Sequence, residues 1–183
     1  MMKKNDELVL EFVDQGHQGE GIGKSGHYPL FVEYALPGEK ALVKVLKVNK
    51  NYGFGKLLEV LEKSPHRVDP PCPYYEQCGG CHLMHVDDEG QRSFKKKRVS
   101  DALTRIGKST FDQVEDTVGM EVPYAYRNKV QIPLGRVQGK FVAGFYAKRS
   151  HRIIDIEKCM VQHPQGDAVL GILRLWAEKF QLS

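Results

Sequence analysis

The stretch ALVKVLKV at residues 41–48 runs through Val43, Lys44, Val45, Leu46, Lys47 and Val48 with apolar and basic side chains in alternation. A period of two sends neighbouring side chains to opposite faces of an extended chain, so this is a half-buried strand with its lysines towards solvent. Apolar runs of strand length flank it: LVLEFVD (8–14), PLFVEYA (29–35) and, after the Asn51–Tyr52–Gly53 turn, FGKLLEVLEK. The glycine-rich QGHQGEGIGKSG (15–26) reads as a tight turn, because glycine tolerates positive φ. In ALPGEK the Pro37–Gly38 pair favours a β-turn. Four or five short strands in about sixty residues suggest a small closed barrel of OB type. The glycines and the period of two disfavour a three-helix alternative.

SPHRVDPPCP (64–73) follows as a linker whose four prolines bar regular structure. The predicted division is therefore a barrel over residues 1–62 and a small α+β domain over 63–183, a mixed but mainly β chain. From Asp87 to Gly107 the pattern turns helical, with Asp87 or Asp88 as N-cap and Gly107 as stop. Phe94, Val99, Ala102, Leu103 and Ile106 share its expected apolar face. YRNKVQIPLG and KFVAGFYAK read as paired strands, and HRIIDIEKC (151–159) as a third apolar run. PQGDAVLGILRLWAEKF closes the chain as an amphipathic helix with Val169, Ile172, Leu173, Trp176 and Phe180 at helical spacing.

Cys72, Cys78 and Cys81 cluster as C-x5-C-x2-C, and the fourth cysteine, Cys159, is remote. The N-terminus MMKKNDELVLEFVDQG is broken by Glu11 and Asp14 and is no secretory signal, which makes the reducing cytoplasm the expected compartment. There, thiolates at such spacing bind zinc or an iron–sulfur cluster. Spacing alone does not decide between them, although three close ligands and one distant one lean towards [4Fe–4S]. Gly79 and Gly80 allow the close backbone approaches that a C-G-G-C turn requires. His82 and His85 are left out as ligands. If all four thiols hold metal, none remains as a nucleophile.

The formal net charge of +4 is unevenly placed: residues 1–70 sum to zero, whereas residues 92–108 hold seven basic side chains against Asp101. Such clusters suit a phosphate backbone, or form a solvated helix face balanced by acids such as Asp87, Asp88 and Glu89. The candidate RNA contacts are Lys95, Lys96, Lys97 and Arg98 on the helix, with Arg127, Asn128 and Lys129 in YAYRNKVQIPLG. There, Arg and Lys can hold phosphates and Asn can read a base edge. No apolar run approaches the roughly 18–20 residues of a membrane span. GEGIGKSG lacks the G-x-x-x-x-G-K-[ST] spacing of a phosphate loop, and no G-x-G-x-x-G follows a strand.

The order ALPGE, SPHR-x3-P-C-x5-CGGC, YRNK, GFY-x3-SH and DIEKC resembles the bacterial 23S ribosomal RNA (uracil-5-)-methyltransferases, which are S-adenosylmethionine enzymes with an N-terminal TRAM domain. The resemblance implies a TRAM barrel that binds RNA, and a central RNA-binding domain holding a [4Fe–4S] cluster on Cys72, Cys78, Cys81 and Cys159. It implies 23S ribosomal RNA as partner, with neither a membrane nor an obligate protein partner. The family's methyltransferase domain, with its cofactor loop and nucleophilic cysteine, has no counterpart here. S-adenosylmethionine is therefore expected only in the full-length enzyme, and residues 1–183 alone are expected to be inactive. The rival readings are a self-standing RNA-binding module with a structural cluster, and electron transfer. A radical S-adenosylmethionine site is disfavoured, since it needs C-x3-C-x2-C with an open iron position.

Overall fold

The computed structural model describes residues 2–110 and 113–181. Two compact units interleave along the chain: Met1–Asp69 with His85–Val118, and Pro70–Met84 with Gly119–Ser183.

In the first unit β1 (Glu7–Gln15), β2 (Gly21–Ser25), β3 (Tyr28–Glu33), β4 (Lys40–Val48) and β5 (Gly53–Glu62) close a barrel in the order β1-β2-β3-β5-β4. Only β3 and β5 pair in parallel; the other pairings are antiparallel. The alternation of residues 41–48 is realised, with Ala41, Val43 and Val45 joining Leu10, Phe12, Leu30 and Val32 in the core. The expected turn over residues 15–26 is too long. Gly21–Ser25 is strand β2, and Gly21 faces inward, where a Cβ would lie 2.7 Å from the Ala35 carbonyl oxygen. These glycines answer to the narrowness of a five-stranded interior, so the same composition that signals a turn here signals close approach.

Helix α1 (Asp88–Asp101) is capped by Asp87, whose carboxylate accepts the Gly90 N–H at 2.7 Å. It continues as a π-helical turn over Ala102–Ile106, closed by Gly107 N–H donating to the Ala102 carbonyl at 2.8 Å. The expected common apolar face is not buried: Phe94 is inside, but Val99 is 50% and Ile106 82% exposed. The wider step of the π turn rotates Ile106 off the stripe that a 3.6-residue period would give, whereas Val99 precedes that turn.

The second unit holds an antiparallel sheet β6 (Leu134–Val137), β7 (Lys140–Tyr146), β8 (Ile153–Asp155), and helix α2 (Pro164–Lys179). The expected strand at YRNKVQIPLG begins only at Leu134, after Pro133, which has no N–H to give a ladder. Phe141 and Ala143 of β7 pack with Leu170 and Ala177 of α2. The helix is where the sequence places it, but its buried stripe is not the predicted one. Val169, Ile172, Trp176 and Phe180 are all more than half exposed. Arg174 explains the rotation. Its Nη2 donates to the Ala143 carbonyl (2.8 Å), the Ile156 carbonyl (2.7 Å) and Asp155 Oδ1 (2.6 Å), and this fixes which face of α2 meets the sheet.

Candidate metal centre

Cys72, Cys78, Cys81 and Cys159 line one hollow of the second unit, together with Tyr74, Met84, Phe145 and Ile156. All four thiols are unpaired by disulfides and half-buried. Tight turns set Cys72 and Cys78: the Tyr75 N–H donates to the Cys72 carbonyl at 3.1 Å, and the Cys78 N–H to the Tyr74 carbonyl at 2.7 Å. Cys78 also bridges Ala147, just after β7. Gly79 N–H donates to the Tyr146 carbonyl at 2.9 Å, and a Cβ at Gly79 would stand 2.9 Å from that same oxygen. The close approach expected of the C-G-G-C turn therefore belongs to Gly79.

Cys159 comes from the segment between β8 and α2. Asp167, in the first turn of α2, accepts the Cys159 N–H at 3.1 Å through Oδ1 and also binds the Gln162 side-chain amide. Burial pushes the Cys81 thiol up to about 11, reinforced by Cys159, Cys78 and Cys72 and eased by Arg127. Cys78 is raised chiefly by burial, against which the Gly80 N–H works as a donor to its sulfur at 3.3 Å. Four thiols lining one apolar hollow, two of them with ionisation opposed by burial and by their neighbours, form a donor set that a cation would deprotonate and bind. Among the described residues, however, no three His, Cys, Asp or Glu side chains close on a common point as ligands of one ion would.

Arg127 also lines the hollow, held by a parallel bridge to Gln162, by its N–H to the Val161 carbonyl and by its carbonyl to the His163 N–H, both at 2.9 Å. Asn128 and Lys129 are exposed beside it. Lys95, Lys96, Lys97 and Arg98 belong to the first unit, so the two candidate RNA-contacting sets sit on different units. On α1, Lys96 pairs with Asp116 at 2.7 Å, and Lys97 with Asp101 at 2.5 Å and Asp14 at 3.1 Å. Arg98 lies over the Phe94 ring, 5.7 Å from its centroid, and Lys95 is exposed. The acids that balance this helix are thus mainly Asp14, Asp101 and Asp116; of the three expected, Asp88 pairs with Arg92 at 3.1 Å. His85, set aside as a ligand, is buried in the first unit edge-on to Tyr34, 5.7 Å between ring centroids.

Sequence reasoning missed a buried clasp. Glu39, 2% exposed, accepts the Leu36 N–H at 2.9 Å and the Ser64 N–H at 3.3 Å, and takes two hydrogen bonds from the Arg67 guanidinium. Arg67 also donates to the Tyr34 carbonyl. The signal was present: the clasp joins the Glu of ALPGE to the Ser and Arg of SPHR.

Residues 4–58 match the TRAM domain family. A protein of Halalkalibacterium halodurans named an uncharacterized RNA methyltransferase is 48% identical over 169 residues, 92% of this chain and 37% of its own length. One of Clostridium tetani with the same description is 47% identical over 182 residues, 100% of this chain and 39% of its own length. Among solved structures, a Pyrococcus abyssi tRNA (uracil-54, C5)-methyltransferase in complex with S-adenosyl-L-homocysteine superposes with a TM-score of 0.67 at 23% identity. The superposition covers 96% of this chain and 38% of that one. This last likeness concerns the fold. The chain spans about two fifths of the length of the curated relatives it matches. It carries a TRAM domain and is related along nearly its whole length to proteins named uncharacterized RNA methyltransferases.

Proposed function

We propose that this chain is the RNA-recognition and iron–sulfur part of an S-adenosylmethionine-dependent (uracil-C5)-methyltransferase acting on 23S ribosomal RNA. The observation that carries the reading is the meeting of four cysteines, from residues 72–81 and from 159, around one hollow. Relatedness to RNA methyltransferases along the chain supports the rest. Cys72, Cys78, Cys81 and Cys159 would hold the [4Fe–4S] cluster, which supplies a cross-link between the linker and the segment leading into α2. A zinc ion, with Zn–S of about 2.3 Å, would draw four sulfurs to within about 4 Å of one another. The spacing, three close thiols and one remote in sequence, favours the larger cluster. Lys95, Lys96, Lys97, Arg98, Arg127, Asn128 and Lys129 supply phosphate and base-edge contacts, and residues 1–62 the RNA-binding barrel.

Anaerobic purification followed by iron, sulfide and visible-absorption analysis tests the cluster. Four irons and four sulfides per chain are expected, and Cys159→Ser should lower both and weaken the second unit. Stoichiometric zinc without sulfide would overturn the assignment. For the activity, the longer protein is incubated with labelled S-adenosylmethionine and separate 23S ribosomal RNA and tRNA transcripts. Label in 5-methyluridine of the ribosomal RNA alone is expected; label in tRNA alone would replace the substrate.

A further inference from the structure

Strand β3 and strand β5 run parallel with Phe31 opposite Phe54, both pointing out of the barrel because Leu30, Val32, Gly53 and Gly55 point in. Tyr52, from the turn before β5, completes a group of three rings. Its centroid lies 5.9 Å from Phe31, edge-on at 89°, and 5.6 Å from Phe54 at 84°; Phe31 and Phe54 are 6.0 Å apart. These are contact distances for aromatic rings, so the three form one continuous patch. Tyr52 is 42% exposed, and Phe31 and Phe54 are half-buried.

The patch is built to hold its shape. The Tyr28 hydroxyl lies within bonding distance of the carbonyls of Asn49 (2.8 Å) and Tyr52, and accepts the Asn49 N–H at 3.1 Å. The turn that carries Tyr52 is therefore tied to β3. Three lysines stand near the rings, with the carboxylate of Glu33 among them. A bulge after Val45 brings Lys47 into register with Phe54, and Lys24 lies two residues along β2 from Ile22, the partner of Phe31. Lys56, two residues beyond Phe54 on the same strand face, sits opposite Glu33. Lys24, Lys47 and Lys56 are all exposed.

We propose that Phe31, Tyr52 and Phe54 form a stacking platform for unpaired RNA bases, with Lys24 and Lys47 holding the adjoining phosphates. Bases stack on aromatic faces whatever their identity, and lysines beside such faces track a single strand without reading it. A duplex keeps its bases inside and offers the rings nothing to stack on, so the platform selects single-stranded segments. The assignment rests on the reading of this chain as an RNA binder and adds the strand type and the residues.

Fluorescence anisotropy of the full chain is measured with a labelled unstructured oligoribonucleotide of about twelve nucleotides, within the span of one such barrel. The same strand made abasic, and a duplex, serve as controls. The native strand should bind at least about tenfold more tightly than the abasic one, and Phe31→Leu with Phe54→Leu should remove that difference. Lys24→Gln with Lys47→Gln should weaken both strands and flatten the salt dependence. Photo-cross-linking of 5-iodouridine RNA to the unmodified chain gives a result independent of any variant's folding. Peptides containing Phe31, Tyr52 or Phe54 should carry the label, and labelling confined to other peptides would overturn the platform. Equal affinity for native and abasic strands would also overturn it while leaving RNA binding intact. No binding to any RNA would instead overturn the underlying reading. Self-association that the double leucine variant abolishes, with RNA affinity unchanged, would reassign the patch to a second copy of the chain.

Discussion

Glu39 and Arg67 are twenty-eight residues apart and meet where little water reaches, their side chains 0% and 14% exposed. Two backbone N–H groups, from Leu36 and Ser64, complete the carboxylate's shell. A buried pair of this kind contributes little relative to a well-packed apolar substitute, but breaking it strands the surviving charge. Glu39→Gln should therefore destabilise the barrel unit by about 3–5 kcal/mol, measured by urea denaturation followed by far-UV circular dichroism. A loss below about 1 kcal/mol would mean that water reaches Arg67 once its partner is neutral. The consequence for the chain's organisation is direct: the segment after β5 is fastened to the barrel by Ser64 and Arg67, and so does not leave it as a free linker.

Among the elements, α2 is placed by one charge cluster. Asp155 accepts the Ala143 N–H at 3.0 Å and the Arg174 guanidinium at 2.6 Å. Burial works against its ionisation, yet those donors outweigh it and hold the carboxyl below its ordinary value. Because the folded state binds this proton less readily than the unfolded one, the contribution is fully present above pH ~4 and is lost as pH falls through the depressed value. Asp155 is 38% exposed, so screening limits the effect to about 1 kcal/mol. Asp155→Asn should cost that much at pH 7 and abolish part of the acid sensitivity of the second unit, read from thermal melts between pH 3 and 7. Existence and type of this helix were legible in the sequence from its periodicity. Its rotation was not, because periodicity alone favours burying the larger apolar stripe. The tie from Arg174 to Asp155, to the Ala143 carbonyl of β7 and to the Ile156 carbonyl just after β8 spans β7, β8 and α2, and no local pattern reveals it. The same limit hid β2, whose Gly21 answers to Ala35, more than ten residues away, and whose Gly23 answers to Leu10 and Phe12.

At the scale of the whole molecule, positive charge looks concentrated in the sequence but is partly spent within the fold. Lys96 and Lys97 already have carboxylate partners, and Arg98 lies over a ring. RNA binding should therefore show a salt slope of about 2–3 on logarithmic axes, well short of what the seven basic residues between 92 and 108 would give if all met phosphate. Lys96→Gln should change that slope by less than about one half, whereas Lys95→Gln should lower it by roughly 0.7. The closed barrel was legible from alternation and turns; that Cys159 lines the same hollow as the other three cysteines needed the fold. The aromatic patch and the Glu39 clasp were not, since both depend on which strands become neighbours.

Helix α2 also turns Trp176, the chain's single tryptophan, half towards solvent beside Phe180. Intrinsic fluorescence excited at the indole is thus a one-residue reporter of the second unit, silent about the barrel. Its emission in the isolated chain should lie towards the red, and anything that comes to lie along Val169, Ile172 and Trp176 should move it to the blue. An unlabelled sample in a cuvette can therefore reveal whether, and at what concentration, that ridge is covered.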